Sequence, residues 1–288
     1  MEVKVDSILT SFSFVMIVSA FGNTDRHGCG EKRLHFCPAG CIIEKTLMQI
    51  RGVIMDDILE KMKRINIFTG HYGSGKTEVS VNMVIRARQR FGTAAIIDMD
   101  IANVYFRSRE RQAFLEERGI AVYSNACGQD ITADLPALSD SIRVPLADSR
   151  CHVTVDTGGN DAGAGILRQF RQYFPEDETA MHAVINAGRP ETDTAVKAGR
   201  MIDEIEYVTG MKVNSIINNT HMLTKTVTDD IIGGYDMCRE LSDARDIPLS
   251  GSCCVLSLIP SLEAAAAGLR GFRIIPVELY MRPEWLDA

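Results

Sequence analysis

The stretch Gly70-His71-Tyr72-Gly73-Ser74-Gly75-Lys76-Thr77 fits the pattern GxxxxGK[ST]. These residue types suit one chemistry. Glycines let backbone N–H groups turn inward and approach phosphate oxygens, and a helix opening at the end of the loop adds the positive end of its dipole. In such a loop Lys76 reaches the β and γ phosphates of a nucleotide, and the Thr77 hydroxyl ligates Mg2+. Two acidic motifs stand further along, Asp98-Met99-Asp100 and Asp156-Thr157-Gly158-Gly159. A carboxylate at either place can hold a magnesium-bound water, and Gly159 offers an unencumbered N–H to a γ-phosphate.

These groups act together only if the fold brings them to one crevice. Apolar runs at Arg64–Thr69, Thr93–Asp98, Ile120–Ser124, His152–Asp156, Met181–Asn186, Val213–Asn218, Leu249–Val255 and Arg273–Val277 read as strands. Lys76–Arg90, Thr192–Val208 and Thr224–Leu241 have the amphipathic spacing of helices. Continuous apolar strands alternating with helices imply an α/β domain, a doubly wound and mostly parallel sheet covered on both faces. In such sheets ligands bind where the carboxyl ends of the strands converge. The loop and both acidic motifs fall at strand ends of that kind.

The 288 residues include 45% hydrophobic and 24% charged side chains, which excludes a mostly disordered chain. The formal net charge of −7 gives no broad basic face for nucleic acid or anionic lipid. No stretch reaches the length of a membrane span, and the Ile8–Phe21 run lacks the positive flank of a signal peptide. The chain is read as cytoplasmic, with the eight cysteines as reduced thiols. Residues 1–54 differ from the remainder: six basic and five acidic groups give them +1, leaving −8 for 55–288. Met55 and Met62 stand just ahead of the first strand, so 1–54 is expected to be a non-native or disordered extension and 55–288 the phosphate-binding domain. The competing reading of that segment is a metal site of His27, Cys29, His35, Cys37 and Cys41, whose spacing matches no paired CxxC pattern.

Beyond the loop, the segments GHYGSGKTE, IIDMDIANVYFRSRE, DLPALS, DTGGNDAGA, INAGRPET and IINNTH resemble a bacterial branch of ATP-binding proteins in the MinD/ParA/CobQ superfamily of P-loop ATPases. The resemblance runs from about Lys63 to the C-terminus. It implies that Gly70, His71, Tyr72, Gly73, Ser74, Gly75, Lys76 and Thr77 cradle the phosphates, and that Gly159 meets the γ-phosphate. It also implies that Asp156 acts on Mg2+ through water, that Asp98 supports the metal shell, and that Asp100 orients the attacking water. Asn218 would contact adenine. ATP is expected over GTP, because no [NT]KxD aspartate follows the Val213–Asn218 strand. One position departs from the pattern: His71 stands where many MinD and ParA proteins carry a signature lysine that reaches across a dimer.

Three functions follow from the resemblance. The first is a slow, Mg2+-dependent ATPase acting as a nucleotide-dependent homodimerisation switch for a protein partner. The second is a small-molecule phosphoryl-transfer enzyme similar to dethiobiotin synthetase. The third is an ATP-loaded chaperone for metalloenzyme maturation. Membrane cycling and DNA partitioning are disfavoured by the absence of a basic amphipathic C-terminal helix and of a basic surface. Among weaker features, Arg107 and Arg109 belong to a possible switch segment, and Arg189-Pro190-Glu191-Thr192 opens the next helix with Thr192 as a candidate cap. Cys253 and Cys254 read as buried strand residues, and Cys127 as an isolated loop thiol.

Overall fold

The first strand, β1 (Ile65–Thr69, INIFT), is buried at every position. Its side chains divide between two cores, as alternation along a strand requires. Ile65 and Ile67 join one cluster, whereas Phe68 joins another. A computed structural model describes residues 62–100, 111–124, 142–159 and 161–281. The N-terminal segment with its candidate metal site, the Arg107/Arg109 segment and Cys127 lie outside these residues.

Helix α1 (Lys76–Phe91) leads to β2 (Ala94–Asp98), then α2 (Gln112–Glu116) and β3 (Ala121–Ser124). Next come α3 (Arg143–Ala147), β4 (His152–Asp156), α4 (Asp161–Gln169) and β5 (Thr179–Ile185). The rest is α5 (Ala195–Thr209), β6 (Ser215–Asn218), α6 (Thr228–Arg245), β7 (Leu249–Val255), α7 (Ile259–Ala266) and β8 (Ile274–Val277). The strands form one sheet in the order β3-β2-β4-β1-β5-β6-β7-β8, and every neighbouring pair is parallel. All eight strands expected from the apolar runs are present; β4 and β7 have the expected ends, and the others differ by one or two residues.

The chain leaves β1 toward β2 and β3 on one side, returns through β4 into the place between β2 and β1, and continues to the other side from β5 onward. Beside β1 the direction of winding reverses, which opens a crevice above the carboxyl ends of the strands. One face of the sheet packs Ile65, Val153, Met181 and Ile185 against Leu167, Ile202 and Ile205 of α4 and α5. On the other face, Phe68 and Val184 meet Val79 and Met83 of α1. Cys253 and Cys254 fall into separate clusters, so they face opposite sides of β7, and burial pushes both thiols up to about 12. They are structural residues rather than a ligand pair. Among the described residues, no helix is long and apolar enough to cross a membrane.

Inside the sheet, His182 of β5 is half-buried between Ser215 and Asn66, with Nδ1 2.7 Å from Ser215 Oγ and Nε2 3.2 Å from Asn66 Oδ1. Its ring stacks on Phe68 at 5.0 Å. Burial lowers its pKa from the usual 6.5 to about 4. The unfolded chain therefore takes up this proton at a higher pH than the native state does. The stabilisation is fully present above pH 6.5 and is lost as pH falls through about 4. The shift corresponds to roughly 3 kcal/mol. Urea unfolding measured between pH 7 and pH 4 should show His182→Gln losing less stability on acidification than the wild type; parallel pH profiles would contradict this.

Candidate phosphate-binding site

The loop between β1 and α1 carries all the residues from Gly70 to Gly75. Gly73 and Gly75 have φ of +76° and +77°, the left-handed region where a side chain is strained. Gly70 is needed for space, since a Cβ there would lie 2.3 Å from the Val184 carbonyl oxygen and 2.7 Å from Ser74 Oγ. Gly159 lies against the start of the loop, where a Cβ would come within 2.1 Å of Gly70 O. The turn after β4 and the phosphate loop are thus in direct contact. Tyr72 is exposed at the loop tip, and His71 Nδ1 lies 4.0 Å from Glu191.

Lys76 opens α1, and its ammonium is 2.7 Å from Asp100 Oδ2 with both side chains almost fully buried. Asp100 is held in a tight turn after β2, where its backbone N–H donates to Asp98 Oδ1 at 3.1 Å. Asp98 and Asp156 are register partners on adjacent strands, and Met99 N donates to Asp156 O at 2.7 Å. Asp156 Oδ1 accepts from Ser80 Oγ at 3.3 Å. Complete burial pushes the Asp156 carboxyl upward; Lys76 opposes this, Asp98 and Asp100 reinforce it, and the Thr77 hydroxyl opposes it. The structure therefore brings Lys76, Thr77, Asp98, Asp100 and Asp156 into one buried cluster.

The cluster fits magnesium and phosphate. Asp156 Oδ2 and Ser74 Oγ are buried atoms without a hydrogen-bond partner, so each has capacity for a ligand or a water. No group of three His, Cys, Asp or Glu is arranged to hold a metal among the described residues.

Asn218 does not take the place expected of it. Its Nδ2 donates to Ile231 O and Ser252 Oγ, both at 3.0 Å, and its Oδ1 accepts from Thr220 N and Thr220 Oγ1. Both amide hydrogens and both lone pairs are used inside the fold, which leaves nothing for a base. The neighbouring carboxamide, Asn219, faces the loop and donates to Ser74 O at 2.7 Å. Thr192 is likewise not a cap. Its hydroxyl donates to Asn186 O, and the cap of α5 is Thr194, which accepts from Lys197 N.

Two further residues grip the loop from the end of β5. Asn186 Nδ2 and Arg189 Nε each donate to Gly73 O at 3.2 Å. Asn186 Oδ1 also accepts from Gly188 N and His221 N, and its Nδ2 reaches His221 O. His221 lies behind Gly75, and burial together with Arg189 lowers its pKa to about 4. Strand-end position is the sequence signal that could have flagged Asn186 and Arg189.

No family model matches the chain, and no curated protein matches it. Solved structures resemble it weakly. The signal recognition particle receptor FtsY from Elizabethkingia anophelis in complex with GDP is 16% identical with a TM-score of 0.42, covering 72% of this chain and 65% of that one. Cell division protein FtsY from Thermotoga maritima is 18% identical with a TM-score of 0.46, over 70% and 68%. The signal recognition particle 54 kDa protein from Aeropyrum pernix is 16% identical with a TM-score of 0.43, over 76% and 49%. Likenesses this weak identify neither a family nor a ligand.

A buried ion pair broken on one side leaves an uncompensated charge, at a cost of about 3–5 kcal/mol. Asp100→Ala should lose stability of that order in urea unfolding, and Lys76→Met combined with Asp100→Leu should recover most of it. Strictly additive single and double variants would show that the two side chains are not coupled.

Proposed function

We propose that the crevice binds Mg-ATP and hydrolyses it slowly, and that the protein is a nucleotide-dependent switch of the MinD/ParA/CobQ kind. The observation that carries this reading is the buried Lys76–Asp100 pair at the mouth of a glycine loop. A phosphoryl oxygen reaching Lys76 competes with Asp100 for the ammonium, so nucleotide binding and release of the Asp100 carboxylate are one event. The freed carboxylate can then accept a hydrogen bond from a water and aim it at the γ-phosphorus. Phosphoryl transfer depends mostly on such positioning and on charge stabilisation.

Thr77 and, through water, Asp156 would hold Mg2+, with Asp98 supporting; the ion would screen the phosphates and stabilise charge on the transferring group. Backbone N–H groups of the loop and of Gly159 supply the remaining phosphate donors. ATP is preferred over GTP because Thr220, His221 and Met222 follow Asn219, so no carboxylate stands there to accept from guanine. With Asn218 consumed by the fold, we assign the place beside the base to Asn219, the carboxamide at this strand end that faces the loop.

In the switch, ATP joins two copies and hydrolysis releases them. One observation favours a second reading, a small-molecule phosphoryl transferase: His71 replaces the signature lysine and faces Glu191 of its own chain. Light scattering on Asp100→Asn, combined with assays of nucleotide binding and phosphate release, separates the two. Lys76→Ala should abolish binding. Asp100→Asn should keep binding, slow hydrolysis about 100-fold or more, and double in mass with Mg-ATP but not with Mg-ADP. An unchanged mass with bound Mg-ATP would contradict the switch and favour a small-molecule acceptor. Tighter binding of Mg-GTP than of Mg-ATP would overturn the base assignment.

A further inference from the structure

We propose that Glu78 is a positioning residue for the phosphate-binding end of α1, held by the chain that follows β8. The inference rests on the nucleotide reading above. Three polar side chains spaced four residues apart share one face of α1 and bind successive parts of one segment. The Arg86 guanidinium donates to Pro276 O. Asn82 donates to Glu278 O at 2.8 Å and accepts from Glu278 N at 2.9 Å. The Glu78 carboxylate accepts from Tyr280 N at 2.6 Å and from Met281 N at 3.1 and 3.3 Å. The segment thus runs along α1 toward its first turn, and its last rung lies one residue past Thr77.

The far side of the segment is anchored as well. Met281 is buried with Val81, Val84 and Leu115, and the Tyr280 ring is 5.3 Å from that of Phe114. Leu115 and Phe114 belong to α2, the first described element after Asp100. The segment therefore joins the first turn of α1 to that helix.

The first turn of α1 needs such support. Its N-cap is Gly75, which supplies no side-chain cap, and its N–H groups are the ones a phosphate would use. A carboxylate in this turn has two opposite effects on a bound polyphosphate. Its charge repels the phosphates, whereas its grip on the two backbone amides fixes where the turn sits. Here the carboxylate is spent on Tyr280 and Met281, so we take the grip to dominate.

Glu78→Gln sets the two effects against each other: it removes any charge, which would tighten binding, and leaves only one oxygen to accept from the amides, which would weaken it. The affinity of a fluorescent Mg-ATP analogue should fall roughly tenfold in Glu78→Gln. It should fall severalfold in Asn82→Ala, which lies a full turn further from the phosphates, and stay unchanged in Leu279→Ala, whose side chain is exposed. Hydrogen exchange at the Tyr280 and Met281 amides should accelerate in Glu78→Gln. Equal or tighter binding by Glu78→Gln would overturn the proposal, as would lost stability at unchanged affinity or an equal loss in Leu279→Ala. A wild-type protein that binds no Mg-nucleotide would overturn the site reading together with this inference, and is recognised as such because every variant then reads alike.

Discussion

The buried pair of Lys76 and Asp100 is the interaction on which the crevice depends. An ammonium taken out of water costs several kcal/mol unless a partner and hydrogen bonds compensate it. Here Asp100 is that partner, and Asp98 accepts from its backbone N–H and so steadies the turn that carries it. Asp156 lies on the next strand, uncharged over a wider pH range than an exposed carboxylate because burial and its acidic neighbours disfavour ionisation. In the function we propose, an incoming phosphate would replace Asp100 on Lys76, and a divalent cation would relieve the crowding around Asp156.

Such an exchange needs a stiff loop around it. Gly73 O is held by Asn186 and Arg189, and Ser74 O by Asn219, so two loop carbonyls are tied to the ends of β5 and β6. Within the loop, the Ser74 N–H donates back to His71 O at 3.0 Å. Asn186 in turn is knotted to Gly188 and His221. The two halves of the sheet thus divide the work. The β2 and β4 ends supply carboxylates, while the β5 and β6 ends supply the carboxamides and the guanidinium that brace the loop.

Much of this was legible in the sequence. Apolar runs of Ile, Val and Ala marked the strands, because a parallel sheet buried on both faces leaves little room for polar alternation. The loop and its acids were legible because strand ends converge. Asn218 and Asn219 were not separable. Adjacent residues at a strand end point to opposite sides, so a shift of one position exchanges the carboxamide that faces the loop for the one that faces the core. Arg189 was misread as a helix opener because an arginine reaching Gly73 across 116 positions leaves no local pattern. Glu78, Asn82 and Arg86 stand among apolar residues in the first three turns of α1, but only the fold shows what that stripe faces.

The most direct test is a crystal structure of the protein with Mg2+ and a non-hydrolysable ATP analogue. The account predicts Lys76 Nζ within hydrogen-bond distance of a terminal phosphate oxygen, Asp100 released from it, and Thr77 on the metal. A nucleotide bound elsewhere, or one bound in the crevice while Lys76 remains paired with Asp100, would contradict it.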